Sequence, residues 1–148
     1  MRFAITGEMG FIATNLANTI QEAGHTFVSL LDTNISLNSI ATGEPCVYNN
    51  TEKEWEGVLL EEKIDILIHN AAAVGTDVVA LNSEFSTLSN VMGTHTIARA
   101  ANKAGVSVCY TGTTVIYDTK KYQNIAITET SELNPKTFYG IQKLAAEQ

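Results

Sequence analysis

The stretch that decides the fold is "AITGEMGFIATNLA", residues 4–17. An apolar run, Phe3-Ala4-Ile5, stops at Gly7 and Gly10, and a helix-like pattern follows. A strand that turns straight into a helix leaves the first helical N–H groups without partners, at the positive end of the helix dipole. That is a natural seat for an anion. Gly7 permits a tight turn, and Gly10 lets the backbone approach a pyrophosphate with no Cβ in the way. The third position of the pattern is Ala13, small enough for helix–strand packing. With Met9, Phe11 and Ile12 around the helix start, these residues make the expected dinucleotide-binding turn. An ordinary strand–helix turn is the alternative that the motif alone leaves open.

Outward from the turn, apolar runs alternate with helical patterns. Strands are expected at 2–6, 26–32, 46–49, 64–71 and 106–112, and helices at 11–24, 52–63, 82–104 and 139–148. Phe11, Ile12, Leu16 and Ile20 recur at helical spacing, and Gly24 and Gly105 fit helix stops. "IDILIHNA" is nearly all apolar, as a strand covered on both faces should be. The rhythm predicts an α/β fold: a Rossmann-type, doubly wound parallel sheet of order 3-2-1-4-5 with helices on both faces. The last helix stops at "QKLAAEQ" with no ending signal, and the fifth strand has no visible outer neighbour. The expectation is one nucleotide-binding domain over 1–148, cut short.

The chain has 148 residues, 45% apolar content and a net charge of −7, enough for one packed core. That balance, with Lys120-Lys121 the only adjacent basic pair, argues against a nucleic-acid or anionic-membrane partner. No run approaches a membrane span and no apolar leader is visible, so a cytoplasmic protein is expected. Cys46 and Cys109 lie in apolar-looking strands and read as reduced core residues. No His, Cys or acidic trio suggests a metal. Trp55 reads as helix packing, His69 as structural, and His25 and His95 as surface or packing residues.

The second strand ends at Asp32, 25 residues beyond Gly7. A carboxylate there accepts from a ribose diol and repels a 2′-phosphate, and no Lys or Arg stands nearby in "DTNISLN". NAD is therefore expected over NADP. In "TFYGIQK", Tyr139 and Lys143 are four apart and share a helix face. An ammonium beside a phenol favours the phenolate, which can then exchange a proton with a substrate hydroxyl. "YTGTTVIY" leaves the fifth strand with three hydroxyls, Thr111, Thr113 and Thr114, where ligands sit in such sheets.

Taken in order, "TGEMGFIA", "LLD", "IDILIHNAA", "NVMGT", "TGTTVIYD", "ITETSELNP" and "YGIQK" resemble the N-terminal half of an extended short-chain dehydrogenase/reductase of the NAD-dependent sugar epimerase/dehydratase group. The resemblance covers essentially the whole chain. It implies that Gly7, Gly10 and Ala13 line the pyrophosphate turn, that Asp32 binds the adenosine ribose, and that Ala71, Ala72 and Ala73 lie beneath the cofactor. It implies that Asn90 organises the site, that Thr113 is the catalytic Ser/Thr, that Tyr139 is the acid/base and that Lys143 is its partner. Asn49 stands where the family usually has an Asp near adenine, and Asp118 where it usually has Gly. Dehydratases of the group carry acidic residues directly after the catalytic Thr. Thr114 and Val115 here disfavour that branch and the Glu-bearing decarboxylases. The resemblance thus implies an epimerase or simple dehydrogenase/reductase of a nucleotide-activated sugar, with a C-terminal substrate domain outside this chain and a homodimer through the helices of Asn90 and Tyr139. An inactive NAD-binding module and a reductase of a small non-nucleotide carbonyl compound are the other readings.

Overall fold

The computed structural model describes residues 1–30, 50–74, 79 and 81–148. Strand β1 (Arg2–Thr6) runs into the glycine turn, and helix α1 (Phe11–Glu22) returns the chain to β2 (Thr26–Val28). Helix α2 (Glu52–Glu61) leads to β3 (Ile66–His69). Helix α3 (Ser83–Thr87), a π-helical turn (Leu88–Gly93) and α4 (Thr94–Ala104) lead to β4 (Ser107–Tyr110). A 3-10 turn (Thr114–Ile116) and α5 (Phe138–Glu147) complete the described elements.

All four strands are parallel, in the order β2-β1-β3-β4. They are the expected first, second, fourth and fifth strands in the expected order. The expected strand at 46–49, with Cys46, lies outside the described residues. The register sets Phe3 beside Phe27 and Ile66, and Ile66 beside Ser107. From β1 the chain goes first to one neighbour, β2, and later to the other, β3. The order in which strands are added to the sheet reverses between β1 and β3, where ligands bind in doubly wound folds.

The period of two in β1 and β3 feeds two cores. Ala4 and Leu67 join Trp55, Leu59, Ile97, Ala100 and Ala101 on the face covered by α2 and α4. Ile5 joins Ala13 and Ile20 of α1 on the other face, with Phe3, Leu16, Phe27 and Ile68 packed around them. The apolar stripe read on α1 is therefore shifted at its start. Ala13 and Ile20 are buried, whereas Phe11 and Ile12, in the first turn, stand in solvent. Cys109 is also exposed, not a core residue, because β4 pairs only with β3 among the described residues and is poorly covered. Among the described residues, no helix is long and apolar enough to cross a membrane.

The expected single helix at 82–104 is broken into α3, the π turn and α4. The wide turn contains the buried Asn90, whose side chain reaches back to the segment after β3. One extra residue per turn rotates a polar side chain inward while the apolar stripe resumes in α4, which is why such turns gather at sites.

Trp55 is 2% exposed and sits at the centre of the larger core. Trp55→Ala is expected to lower the unfolding free energy by roughly 3–5 kcal/mol, read as a shifted urea midpoint. Leu60→Ala, on the exposed face of the same helix, is expected to change it by less than about 0.5 kcal/mol.

Candidate dinucleotide and proton-transfer site

Gly7 has φ +71°, and a Cβ on it would meet Ala71 Cα at 3.0 Å and Ala71 N at 3.1 Å. Any side chain here would be strained by the left-handed backbone and would also push β1 from the loop after β3. Gly10 N donates to Gly7 O (2.9 Å), which closes the turn. Gly10 is the N-cap of α1 and has no side-chain cap. The contrast with α2 is informative: there Thr51 and Glu54 form a reciprocal capping box. Helix α5 is capped too, by Thr137 on Gly140 N. The helix that starts in the glycine turn has no side chain over its first amides. That cradle, with no Cβ at Gly10, fits a diphosphate. Met9, Phe11 and Ile12 stand largely exposed around it.

The end of β1 is tied to β3 through Thr6. Its Oγ1 accepts from Asn70 N and Ala71 N (both 3.1 Å) and lies 2.7 Å from His69 Nδ1. With two amides donating to that oxygen, its single proton goes to Nδ1. His69 therefore carries its proton on Nε2 and donates to Thr94 Oγ1 (2.9 Å), which donates to Asn90 O (2.8 Å). This ordered line requires a neutral imidazole. Burial, with the Lys143 charge adding to it, holds His69 down at about 4.

Asn90 brackets the Ala73 backbone: Ala73 N donates to its Oδ1 (2.7 Å) and its Nδ2 donates to Ala73 O (2.9 Å). That orientation forces Nδ2 also toward Gln142 Oε1 (2.9 Å), and Gln142 Nε2 then donates to Ser86 Oγ (2.9 Å) and Thr87 Oγ1 (3.0 Å). The small-residue segment, the π turn, α3 and α5 are thus one hydrogen-bonded unit. Gln142, between Tyr139 and Lys143 in "YGIQK", is a residue of this network that no sequence motif marks. The available signal was a buriable amide three residues after Tyr139, on the same helix side.

Helix α5 closes on the loop after β4 because residue 140 is glycine: a Cβ there would lie 2.5 Å from Val115 O. Thr113 accepts from Val115 N (3.4 Å) and opens the 3-10 turn. Lys143 is 4% exposed, donates to Thr111 O (2.7 Å), and lies 4.0 Å from the centre of the Tyr110 ring. No carboxylate among the described residues makes a salt bridge with it. Burial lowers it to about 8, against a small opposing pull from Glu147. Tyr139 is pushed up by burial, the opposite of the shift expected beside an ammonium. The cause is the loss of solvent around the phenol, which disfavours its charged form. Tyr110, stacked on His69 at 5.9 Å, has a buried hydroxyl without a hydrogen-bond partner among the described residues, and burial raises its phenol.

The structure therefore joins Gly7, Gly10, Ala71, Ala73, Asn90 and Lys143 through direct contacts or short hydrogen-bonded links, and carries Tyr139 and Thr113 on the flanking α5 and β4 loop. Asp32 and Asn49 lie outside the described residues.

A family model described as "NAD dependent epimerase/dehydratase family" matches residues 3–148. A dTDP-glucose 4,6-dehydratase of Mycolicibacterium smegmatis is 30% identical over 156 residues, covering 99% of this chain and 47% of that protein. The Thermus thermophilus UDP-glucose 4-epimerase in complex with NAD superposes with a TM-score of 0.78 at 19% identity, over 99% of this chain and 49% of that one. The Bacillus anthracis dTDP-4-dehydrorhamnose reductase in complex with NADP gives 0.77 at 20% identity, over 99% and 48%. The chain spans about half the length of the curated relatives it matches.

The neutral His69 has a signed consequence. Its folded pKa, about 4, is below the unfolded value near 6.5. Its contribution is therefore complete above pH 6.5 and is lost as pH falls toward 4, by roughly 3 kcal/mol at most. His69→Gln, which does not titrate, is expected to show a shallower fall in urea midpoint between pH 6.5 and 4 than the unsubstituted chain.

Proposed function

Because the chain belongs to the NAD-dependent epimerase/dehydratase family, we propose that it forms the nucleotide-binding and proton-transfer half of an NAD-dependent epimerase or dehydrogenase/reductase of nucleotide-activated sugars. The observation that carries this reading is Lys143. A buried ammonium with no carboxylate partner among the described residues, at the C-terminal edge of a parallel sheet, has little structural reason to exist. It is four residues from Tyr139, beside a strand-end loop that carries Thr113, in a fold whose first turn is shaped for a diphosphate.

The glycine turn and the start of α1 would hold the diphosphate, Asp32 the adenosine ribose, and Ala71–Ala73 would underlie the far half of the dinucleotide. Exposed Met9, Phe11 and Ile12 would lie against it. When bound, the nicotinamide supplies the acceptor and donor of hydride. Tyr139 takes the hydroxyl proton as the sugar alcohol becomes a ketone and returns it in the reverse direction. Thr113 orients the same oxygen. Below pH 8 the charged Lys143 favours the tyrosinate that burial otherwise opposes. Epimerisation requires the keto sugar to present its other face before the hydride returns. Thr114 and Val115, where dehydratases of the group carry acids, favour these reactions over loss of water.

In the polypeptide that carries this domain, Tyr139→Phe is expected to slow NAD-linked turnover of UDP- or dTDP-hexoses by about 10²–10⁴-fold, with NADH binding and thermal midpoint unchanged. Undiminished turnover in that variant would remove Tyr139 from the chemistry. NADH binding with no hydride exchange to any nucleotide hexose would instead favour a binding module.

A further inference from the structure

The glycine turn contains one charged residue, Glu8, and nothing above accounts for it. Its side chain leaves the turn and crosses to the end of β2. Ser29 Oγ donates to Oε1 (2.7 Å) and Leu30 N donates to Oε2 (2.8 Å). The carboxylate is thus fixed by hydrogen bonds on both oxygens, one from the backbone and one from a side chain. It lies between the diphosphate turn and the strand end, two residues before Asp32. In this fold the adenosine ribose spans that interval, with its 2′ position toward the end of the second strand. No Lys or Arg occurs from residue 26 to residue 52.

We propose that Glu8 is a determinant of cofactor choice: its clamped carboxylate bars a dinucleotide with a 2′-phosphate and admits one with a free ribose diol. The inference rests on the dinucleotide reading above but not on Asp32. It has a physical basis that a mobile surface acid lacks. A carboxylate held by Ser29 and Leu30 cannot swing away from an incoming phosphate without breaking both hydrogen bonds. Two like charges within several ångströms at a partly covered site differ from a neutral pair by enough to alter affinity about tenfold or more.

The test compares binding of NADH and NADPH to the full protein by nucleotide fluorescence, for the unsubstituted chain, Glu8→Gln and Ser29→Ala. Gln keeps the size and one acceptor but removes the charge. Glu8→Gln is expected to tighten NADPH by about tenfold while NADH stays within about threefold. Ser29→Ala keeps the charge and loses one clamp; it is expected to lower the thermal midpoint and leave the NADH/NADPH ratio still strongly in favour of NADH. The inference is overturned if Glu8→Gln shifts both dinucleotides by the same factor or leaves their ratio unmoved. If the unsubstituted protein binds neither, the dinucleotide reading itself fails; an unmoved ratio in a protein that binds NADH sinks this inference alone.

Discussion

The hydroxyl of Thr6 is the constraint on which the rest of the site depends. It has one proton, and two backbone amides already point at its oxygen. That proton must go to His69, so His69 must present an acceptor, so its other nitrogen must donate to Thr94. A direction is imposed on a line of hydrogen bonds that starts at the end of β1, crosses β3 and ends on the carbonyl of Asn90. One residue past the end of β1, Gly7 rests against the backbone of Ala71 at a distance that excludes any side chain. The glycine turn and the small-residue segment are therefore held together at the point where the order of strands across the sheet reverses. Such an arrangement suits a ligand that must contact both loops at once.

Against that frame, the lysine of α5 is the expensive element. Taking an ammonium out of water costs several kcal/mol, and without a carboxylate the cost is only partly offset. Here the offset comes from the Thr111 carbonyl and the face of Tyr110. The surface charges make the opposite bargain. Glu52 pairs with Arg99 and Lys103 between α2 and α4 in a largely solvated setting, where ion pairs contribute little to stability. The fold spends little on charges that only decorate it and concentrates desolvation at the sheet edge where α5 docks. Gly140 makes that docking close, and Gln142 locks it to Asn90 and α3.

Much of this was legible in the chain itself where the signal is local. The order and type of the described elements follow from apolar periodicity, and the glycine turn from two residues three apart. That Tyr139 and Lys143 lie on one helix follows from their spacing alone. What failed did so where local pattern meets distant packing. Phe11 and Ile12 fit an apolar stripe, yet the first turn of α1 faces outward and leaves Ala13 to fill the core. Cys109 sits in an apolar run, yet lies exposed on a poorly covered strand. A neighbouring ammonium predicts a lowered Tyr139 phenol, but burial lowers Lys143 and raises the phenol.

The sequence by itself determined the parallel α/β rhythm, the glycine turn at the first helix and the phenol–amine spacing, because each depends on periodicity and spacing within about a dozen residues. Tertiary structure alone decided the rest. The π turn that aims Asn90, its bond to a glutamine 52 positions away, the neutral tautomer of His69 and the clamp of Glu8 on the end of β2 all arise from groups far apart in the chain. A hydrogen bond or a desolvated charge depends on what is finally beside it, and that neighbour is chosen by the sheet, not by the residues next to it in sequence.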